Sequence, residues 1–254
     1  MSDDSSSKLS QQRRVGVALL TLCATIFLFF AAQIVAELLI VLVLDLSGKR
    51  GSIADDSIGL QFTYSLLADS LLVAGIALLL YRLHWSWRTI GLKMPKIWHL
   101  VLGALAAVPY YVLLLIVVSV VGAFVPSLNV NQKQELGFDG VYGLLPTILT
   151  FVSLVVLPPL AEEIVMRGFL YTGLRTWLPR VLAALLVSGL FGAAHLAEGG
   201  SSGPLWVGAI DTFTLSLVLV RLREKTGNLW AGITLHALKN GIAFAVLFLH
   251  PHFL

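Results

Sequence analysis

Long apolar runs separated by short polar segments dominate the sequence, at residues 15–44, 60–81, 99–125, 146–174, 181–196, 204–220 and 229–249. A helix needs about 20 mostly apolar residues to cross a bilayer. The first run is long enough to tilt or to project from the membrane, and the fifth run is short. The pattern predicts an all-α, polytopic transmembrane helix bundle with about seven spans, eight being the alternative.

The composition agrees with a chain that is surrounded by lipid. Of the 254 residues, 57% are apolar and 12% are charged, and the mean hydropathy is +0.89. Soluble domains average about 25% charged residues, so this chain has too few charges to cover a water-facing surface. The composition therefore excludes a soluble globular protein, a disordered chain and a nucleic-acid-binding protein, and it makes the lipid bilayer an expected partner.

The basic residues predict how the spans are oriented, because Lys and Arg concentrate in the cytoplasmic segments of membrane proteins. With a cytoplasmic N-terminus, the inner segments hold twelve basic residues and the outer loops hold three. The inner set is Lys8, Arg13, Arg14, Arg82, Arg88, Lys93, Lys96, Arg175, Arg180, Arg221, Arg223 and Lys225. The outer set is Lys49, Arg50 and Lys133. This bias predicts seven crossings, with the N-terminus cytoplasmic and the C-terminus external.

Ionisable side chains inside the spans indicate where function lies. Such a group at the bilayer centre costs about 3 kcal/mol or more, so it usually marks function. The set is Glu37, Asp69, Glu162, Glu163, Arg167, His195, Asp211, His236 and Lys239. Most of these residues belong to the second half of the chain. Glu37, Asp69 and Asp211 could form a proton relay, and structural polar contacts explain them equally well.

The first block of interest contains Glu162, Glu163 and Arg167. Adjacent residues point about 100° apart on a helix, whereas Arg167 follows Glu163 by four residues and shares its face. We therefore predict a Glu163–Arg167 ion pair that leaves Glu162 free to face elsewhere. A carboxylate in a low-dielectric site binds a proton more readily than one in water, which makes Glu162 a candidate general base. The alternative is a helix end in water, but the flanking residues are apolar.

Two further blocks carry histidines. His195 ends the block Phe191-x-x-x-His195, whose small intervening residues allow close helix approach. In the block His236-x-x-x-Asn240, the spacing places both side chains on one helix face, and both can donate hydrogen bonds to one point. The alternatives are a single histidine near the outer membrane boundary and a polar contact between helices.

The depths of these residues in the membrane agree with one another. At about 1.5 Å per residue from the inner end of each span, Glu162 lies at about 20 Å and His195 at about 22 Å. His236 and Asn240 lie at about 12 Å and 18 Å by the same measure. All four therefore fall near the middle of a hydrocarbon core about 30 Å thick, as members of one site would.

The three blocks resemble the motifs of the CPBP (CAAX protease and bacteriocin-processing) family, also called the ABI family. Its best-known members are the Ras-converting CAAX prenyl endopeptidases. The segment 222–230 also looks typical, and the resemblance covers about residues 146–245. It implies a glutamate-dependent intramembrane endopeptidase with a catalytic core. The chain then divides into a disordered cytoplasmic N-terminus (1–14), N-terminal membrane spans (15–140) and that core (141–254).

The resemblance also implies roles for individual residues. Glu162 and His195 would bind and activate a water, and His236 and Asn240 would hold the oxyanion of the tetrahedral intermediate. Such donors, fixed in a dry site, are each worth about 10²–10³ in rate. The supporting residues would be Glu163, Arg167 and Phe191. Lys239 departs from the pattern, and it either reaches toward the membrane boundary or faces a cavity.

Other protease mechanisms find less support in the sequence. A zinc protease would want His-Glu-x-x-His, which the chain lacks, and Ser188-Gly189 lacks the first glycine of a rhomboid-like Gly-x-Ser-Gly. Asp69 and Asp211 give only a loose echo of an aspartyl pair. We therefore predict that no cofactor is needed, with zinc as the alternative because two Glu and two His could hold it.

A function without catalysis is the second hypothesis. The chain would then be a bacteriocin-immunity or abortive-infection membrane protein, or a proton-coupled transporter. Transport assigns no special role to Asn240, whereas proteolysis does. On the protease hypothesis the partner is a membrane-associated peptide or protein, and the location is the plasma membrane of a bacterium, where the chain is multi-pass. Prenylated substrates belong to eukaryotic members, and a peptide pheromone, a bacteriocin leader or a membrane-protein segment remain open.

Overall fold

The architecture is all-α. A computed structural model describes the chain over 2–48, 58–138 and 140–249, with the side chains of residues 2–10 left out, and this part of the chain contains no β-strand. Its helices are α1 (Ser2–Leu46), α2 (Ile58–Arg82), α3 (Ile97–Phe124), α4 (Leu144–Leu174), α5 (Arg180–Ser202), α6 (Trp206–Thr226) and α7 (Trp230–Leu249). A helix therefore covers each of the seven apolar runs, and the predicted all-α fold class is confirmed.

Six of these helices are long and apolar enough to cross a membrane; the exception in the described part of the chain is α6. Helix α6 has 21 residues, but Asp211 near its start and Arg221 and Arg223 near its end make it less apolar. It packs against α3, α5 and α7. The helices therefore form a polytopic membrane bundle, and the crossing of α6 stays a prediction.

The first helix differs from the expectation at its start. Helix α1 begins at Ser2, within the segment 1–14 that the sequence led us to expect as disordered. Once a helix has nucleated, each residue that is added to it gains one backbone hydrogen bond. The apolar run from residue 15 can therefore extend its helix into the polar residues before it.

Glycines set how closely neighbouring helices approach one another. A Cβ at Gly103 of α3 would overlap the backbone of Ala231 in α7, and one at Gly192 would lie 2.7 Å from the carbonyl oxygen of Ala209 in α6. These glycines let backbones pack directly against each other, as small residues do in membrane bundles. The predicted close approach around Gly192 is therefore present, and it holds α5 against α6.

The segment 129–138, which we call the strap, lies between α3 and α4 and contacts the C-terminal end of α5. The backbone N–H of Glu135 donates to the carbonyl of Glu198 over 2.7 Å. Gln132 Nε2 donates to the carbonyl of Gly203 over 3.1 Å. Ser201 Oγ donates to Glu135 Oε1 over 3.3 Å. The strap therefore brings residues of the loop between α3 and α4 to the end of the helix that carries His195.

Candidate active site

Helix α4 is irregular where it carries the two glutamates. Pro158 and Pro159 have no N–H, so the carbonyl of Leu154 has neither an i+4 nor an i+5 backbone donor. The backbone widens to π-helical geometry at Val152–Val156 and again at Glu163–Leu170. Wide turns of this kind are frequent at functional sites.

Asn240 supplies the donor that the prolines remove. Its Nδ2 atom donates to the carbonyl of Leu154 over 2.9 Å. A freed carbonyl at such a position is normally satisfied by a neighbouring helix or side chain. Asn240 therefore joins α7 to the irregular part of α4, and one of its two amide hydrogens is used for this bond.

Glu163 and Arg167 form the ion pair that their spacing predicts. Arg167 Nη1 lies 2.9 Å from Glu163 Oε1, and the two side chains are 0% and 1% exposed. The Arg167 guanidinium also lies 4.2 Å from the centroid of the Phe191 ring, which is a favourable position for a cation over an aromatic face. Phe191 thus links helix α5 to the charged pair of α4.

His236 lies between the two glutamates. Its Nδ1 atom is 3.3 Å from Glu163 Oε1, and its Nε2 atom is 3.7 Å from Glu162 Oε2. A Cβ at Gly232, one turn earlier in α7, would lie 2.8 Å from Glu163 Oε2, so the glycine makes room for that carboxylate. Because the ion-paired Glu163 carboxylate accepts, we place the ring proton on Nδ1, which leaves a lone pair on Nε2 facing Glu162.

Glu162 presents an unsatisfied oxygen to this lone pair. Its Oε2 atom is buried and makes no hydrogen bond to the residues that the structure describes. Buried polar atoms are nearly always hydrogen-bonded, and here two acceptors, Glu162 Oε2 and His236 Nε2, face each other. A molecule with two O–H donors satisfies both, so the arrangement is suited to binding and polarising a water.

His195 belongs to the same site but has other direct contacts. Its Nδ1 atom is 2.7 Å from the carbonyl of Phe191, and its Nε2 atom is 3.8 Å from Glu198 Oε1. The Phe191 carbonyl is an acceptor, so His195 carries its proton on Nδ1 and directs the Nε2 lone pair toward Glu198. The family resemblance implies that Glu162 and His195 bind the water together. Among the described residues, however, the histidine closest to the Glu162 carboxylate is His236.

Glu198 is a site residue that the sequence analysis missed. It follows His195 by three residues in a 3₁₀ turn, His195–Ser202, where side chains three apart are eclipsed. The usable signal was a carboxylate three residues after a motif histidine, just beyond the apolar run. Its Oε2 atom accepts a hydrogen bond from Gln134 Nε2 of the strap over 2.6 Å.

Two cavities meet at these residues. A cavity of about 160 Å³ is lined by Glu162, His195, Glu198, His236, Lys239 and Asn240, together with Gln134 and Leu136 of the strap. A second, mostly apolar cavity of about 270 Å³ shares Glu162, His195 and Glu198, and is otherwise lined by apolar side chains such as Phe29, Phe30 and Phe191. The candidate catalytic residues therefore lie where a polar cavity meets an apolar one.

Lys239, the departure from the family pattern, faces the polar cavity and has a counter-ion. Its Nζ atom lies 3.1 Å from Asp211 Oδ2, and the Tyr110 hydroxyl donates to the other oxygen of Asp211. Asp211 is thus part of an ionic contact among α3, α6 and α7. Neither Glu37 nor Asp69 lines either cavity.

The acidic and histidine side chains of the site are of the types that also bind metal ions. Among the side chains that the structure describes, no three His, Cys, Asp or Glu residues are grouped so that they could hold a metal ion. The two histidines instead contact different partners, Glu198 for His195 and the glutamate pair for His236. Independence from a cofactor therefore stays a prediction.

Comparison with known families places the match on the second half of the chain. Residues 144–242 match the family model described as Type II CAAX prenyl endopeptidase Rce1-like. The match begins with the first residue of α4 and ends two residues after Asn240, so it contains all seven residues of the three sequence blocks. The strap lies before it. No curated protein and no solved structure matches the chain.

Proposed function

Because the chain belongs, through residues 144–242, to the type II CAAX prenyl endopeptidase Rce1-like family, we propose that it is an intramembrane endopeptidase that uses Glu162 as the base. Its substrate is a membrane-associated peptide or protein, and its reaction is hydrolysis of a peptide bond. The observation that carries the proposal is the pair of facing acceptors, Glu162 Oε2 and His236 Nε2, 3.7 Å apart at the wall of the polar cavity.

In the first step Glu162 activates a water that is held against these two atoms. As one O–H bond breaks, the proton moves to Glu162 Oε2, and the water oxygen forms a bond to the carbonyl carbon of the scissile peptide. The π electrons of the carbonyl move to its oxygen, which becomes an oxyanion. General-base assistance of this kind is worth about 10²–10⁴ in rate.

Donors on α7 stabilise the oxyanion. Asn240 has a second amide hydrogen beyond the one that it gives to Leu154. Lys239 lines the same cavity, and its Nζ atom forms an ion pair with Asp211. A fixed donor in a site that excludes water is worth about 10²–10³ in rate.

The second step returns the proton to the leaving nitrogen. Glu162 passes its proton to His236 Nε2, and the Glu163 carboxylate at Nδ1 stabilises the imidazolium that forms. As the C–N bond breaks, His236 gives the proton to the amine, so the products are a carboxylic acid and an amine. Once His236 Nε2 is protonated, the O–H that remains from the water is donated to the Nε2 lone pair of His195, which lines the same cavity.

The apolar cavity provides a place for the hydrophobic part of the substrate. It runs from the shared residues Glu162 and His195 to phenylalanines 29 and 30 of α1, on the lipid-facing side of the bundle. An apolar segment next to the scissile bond would bury its surface there, at about 25 cal/mol per Å². Prenyl groups, named in the family description, and apolar side chains both fit this chemistry.

The experiment that tests the function compares peptide termini in membranes of cells with the wild-type protein and with Glu162→Ala. We expect a set of new termini that requires Glu162, with cut sites in or beside apolar segments. A synthetic peptide spanning such a site, made with and without a farnesyl group, then tests the substrate class with purified protein. Identical termini in both membranes would contradict the protease and favour an immunity protein or a transporter.

A further inference from the structure

A separate cavity lies where α4 and α6 end. It has a volume of about 250 Å³, and it is lined by Tyr171, Thr172, Arg175, Arg223, Glu224 and Gly227. It shares no lining residue with the two cavities at Glu162. Tyr171 follows Glu162 by nine residues, which is about 13 Å along a helix. The cavity is therefore distinct from the candidate active site.

Arg223 is the unsatisfied group of this cavity. Its Nε atom is buried and finds no acceptor among the residues that the structure covers, and no carboxylate within the same ranges forms an ion pair with its guanidinium. A Cβ at Gly91, where φ is +91°, would overlap the guanidinium, so this glycine lets Arg223 lie against the loop that follows α2. A buried cationic donor without an acceptor is costly, and an anion in the cavity would remove that cost.

The nearby carboxylate does not fill this role, because other groups already use it. Glu224 accepts a hydrogen bond from the Tyr171 hydroxyl over 2.8 Å. Its oxygens also lie 3.6 Å from Arg175 Nε and 3.0 Å from Arg180 Nε. Two arginines thus contact this one carboxylate, and the cavity keeps a net positive charge because Arg223 has no counter-ion among the described residues.

The position of the cavity matches that of phosphate groups in a bilayer. It lies at the ends of α4 at Leu174 and of α6 at Thr226, which the distribution of basic residues assigns to the cytoplasmic boundary. Basic pockets between transmembrane helices on that side are suited to anionic headgroups. The planar guanidinium of arginine matches a phosphate with two parallel hydrogen bonds.

We propose that this cavity binds a phosphate group, with Arg223 and Arg175 as the charged ligands and the Thr172 hydroxyl as a neutral one. The group is supplied either by the headgroup of an anionic phospholipid or by a soluble phosphate. In both cases it joins the end of α4 to the end of α6. This inference does not depend on the proposed protease activity, because the site and its readout lie outside the catalytic cavity.

The test uses the full chain, purified in detergent and depleted of lipid. Phosphatidylglycerol, phosphatidylcholine, glycerol phosphate and inorganic phosphate are added separately, and bound molecules are counted by native mass spectrometry while Tm is recorded. We expect phosphatidylglycerol to bind at least ten-fold more tightly than phosphatidylcholine and to raise Tm. Equal protection by glycerol phosphate or inorganic phosphate would assign the site to a soluble phosphate.

The matched variants are Arg223→Gln and Arg221→Gln, which remove the same charge from the same helix. Arg221 is exposed and does not line this cavity. Arg223→Gln is expected to weaken the preferred ligand at least ten-fold, and Arg221→Gln to leave it unchanged. Thr172→Val provides a second variant if Arg223→Gln fails to fold. The proposal would be overturned if the two arginine variants lost binding equally, or if Arg223→Gln bound the ligand as tightly as wild type. It would also be overturned if no phosphate compound were preferred. Where Arg223→Gln does not fold, unchanged binding by Thr172→Val would have the same meaning.

Discussion

The side-chain amide of Asn240 donates to the backbone carbonyl of Leu154 over 2.9 Å, across the interface between α7 and α4. The contact exists because Pro158 and Pro159 remove the two backbone donors that could have reached this carbonyl. Asn240 thus has a structural contact in addition to the oxyanion role that the family resemblance implies. The two roles can be separated by mutation.

We predict that Asn240→Ala lowers the free energy of unfolding by about 1–3 kcal/mol, because it leaves the Leu154 carbonyl unsatisfied. Pro158→Ala restores a backbone N–H at the i+4 position, so the same Asn240→Ala change should cost less in that background. The measurement is a double-mutant cycle on thermal or denaturant unfolding. Strict additivity of the two changes would contradict the structural role. Persistent loss of cleavage in a stable double variant would separate the catalytic role from it.

The second prediction concerns Glu198, the nearest described carboxylate to His195 Nε2 at 3.8 Å. We expect Glu198→Gln to lower kcat about tenfold with little change in KM, because the Glu198 carboxylate and the His195 Nε2 lone pair are two acceptors that a water can join, and a hydrogen bond to a charged group is worth about 1.5 kcal/mol. Glu135→Gln on the strap is the control, since Glu135 contacts Glu198 through its backbone N–H. The measurement is kcat and KM of both variants in steady state. Equal losses of kcat in the two variants would contradict the prediction, because they would show that the substitutions act by disturbing the strap.

The third prediction concerns the cofactor. Because the proposed reaction uses carboxylate, imidazole, amide and ammonium groups of the chain, we expect cleavage to continue in EDTA and in phenanthroline. The assay is the rate of substrate cleavage after dialysis against each chelator. Activity that is lost in this way and restored by added zinc would favour a metal-dependent mechanism, in which glutamates and histidines act as ligands.

The fourth prediction concerns topology, where α6 is the uncertain crossing. With seven crossings and a cytoplasmic N-terminus, a reporter fused after residue 254 lies outside the cell, and one inserted in the loop 83–96 lies inside. The measurement is the activity of each reporter, which shows on which side of the membrane it lies. If both reporters were internal, α6 would not cross and the bundle would have six spans.

Much of the fold could be read from the sequence because its signals are local. Apolar runs gave the position of every helix, and the i, i+4 spacing gave the Glu163–Arg167 pair. The partners of His236 could not be read in this way, because contact with both glutamates depends on how α7 is rotated against α4. Glu198 was missed for a different reason: it lies in a 3₁₀ turn beyond the apolar run. The strap brings Gln134 to it from the part of the chain that resembles no family.

The fifth prediction tests the central claim, that Glu162 is the base and Glu163 a support. Glu162→Gln keeps the size of the side chain but accepts no proton, so it should fold normally and lose about 10²–10⁴ in rate. Glu163→Gln leaves Arg167 buried without its partner, which costs about 3–5 kcal/mol of stability. It also replaces the charged acceptor of His236 Nδ1 with a neutral one, so abundance and Tm should fall first and activity partly. Replacing Arg167 by Met as well should recover some stability.

The most direct measurement is the cleavage rate per folded molecule of Glu162→Gln and Glu163→Gln, side by side with wild type, on a peptide that the wild-type protein cleaves. We predict a Glu162→Gln protein with wild-type Tm and almost no cleavage, and a Glu163→Gln protein with lowered Tm and residual cleavage. A stable Glu162→Gln that cleaves at the wild-type rate would contradict the account, and a stable but inactive Glu163→Gln beside it would move the catalytic base to Glu163.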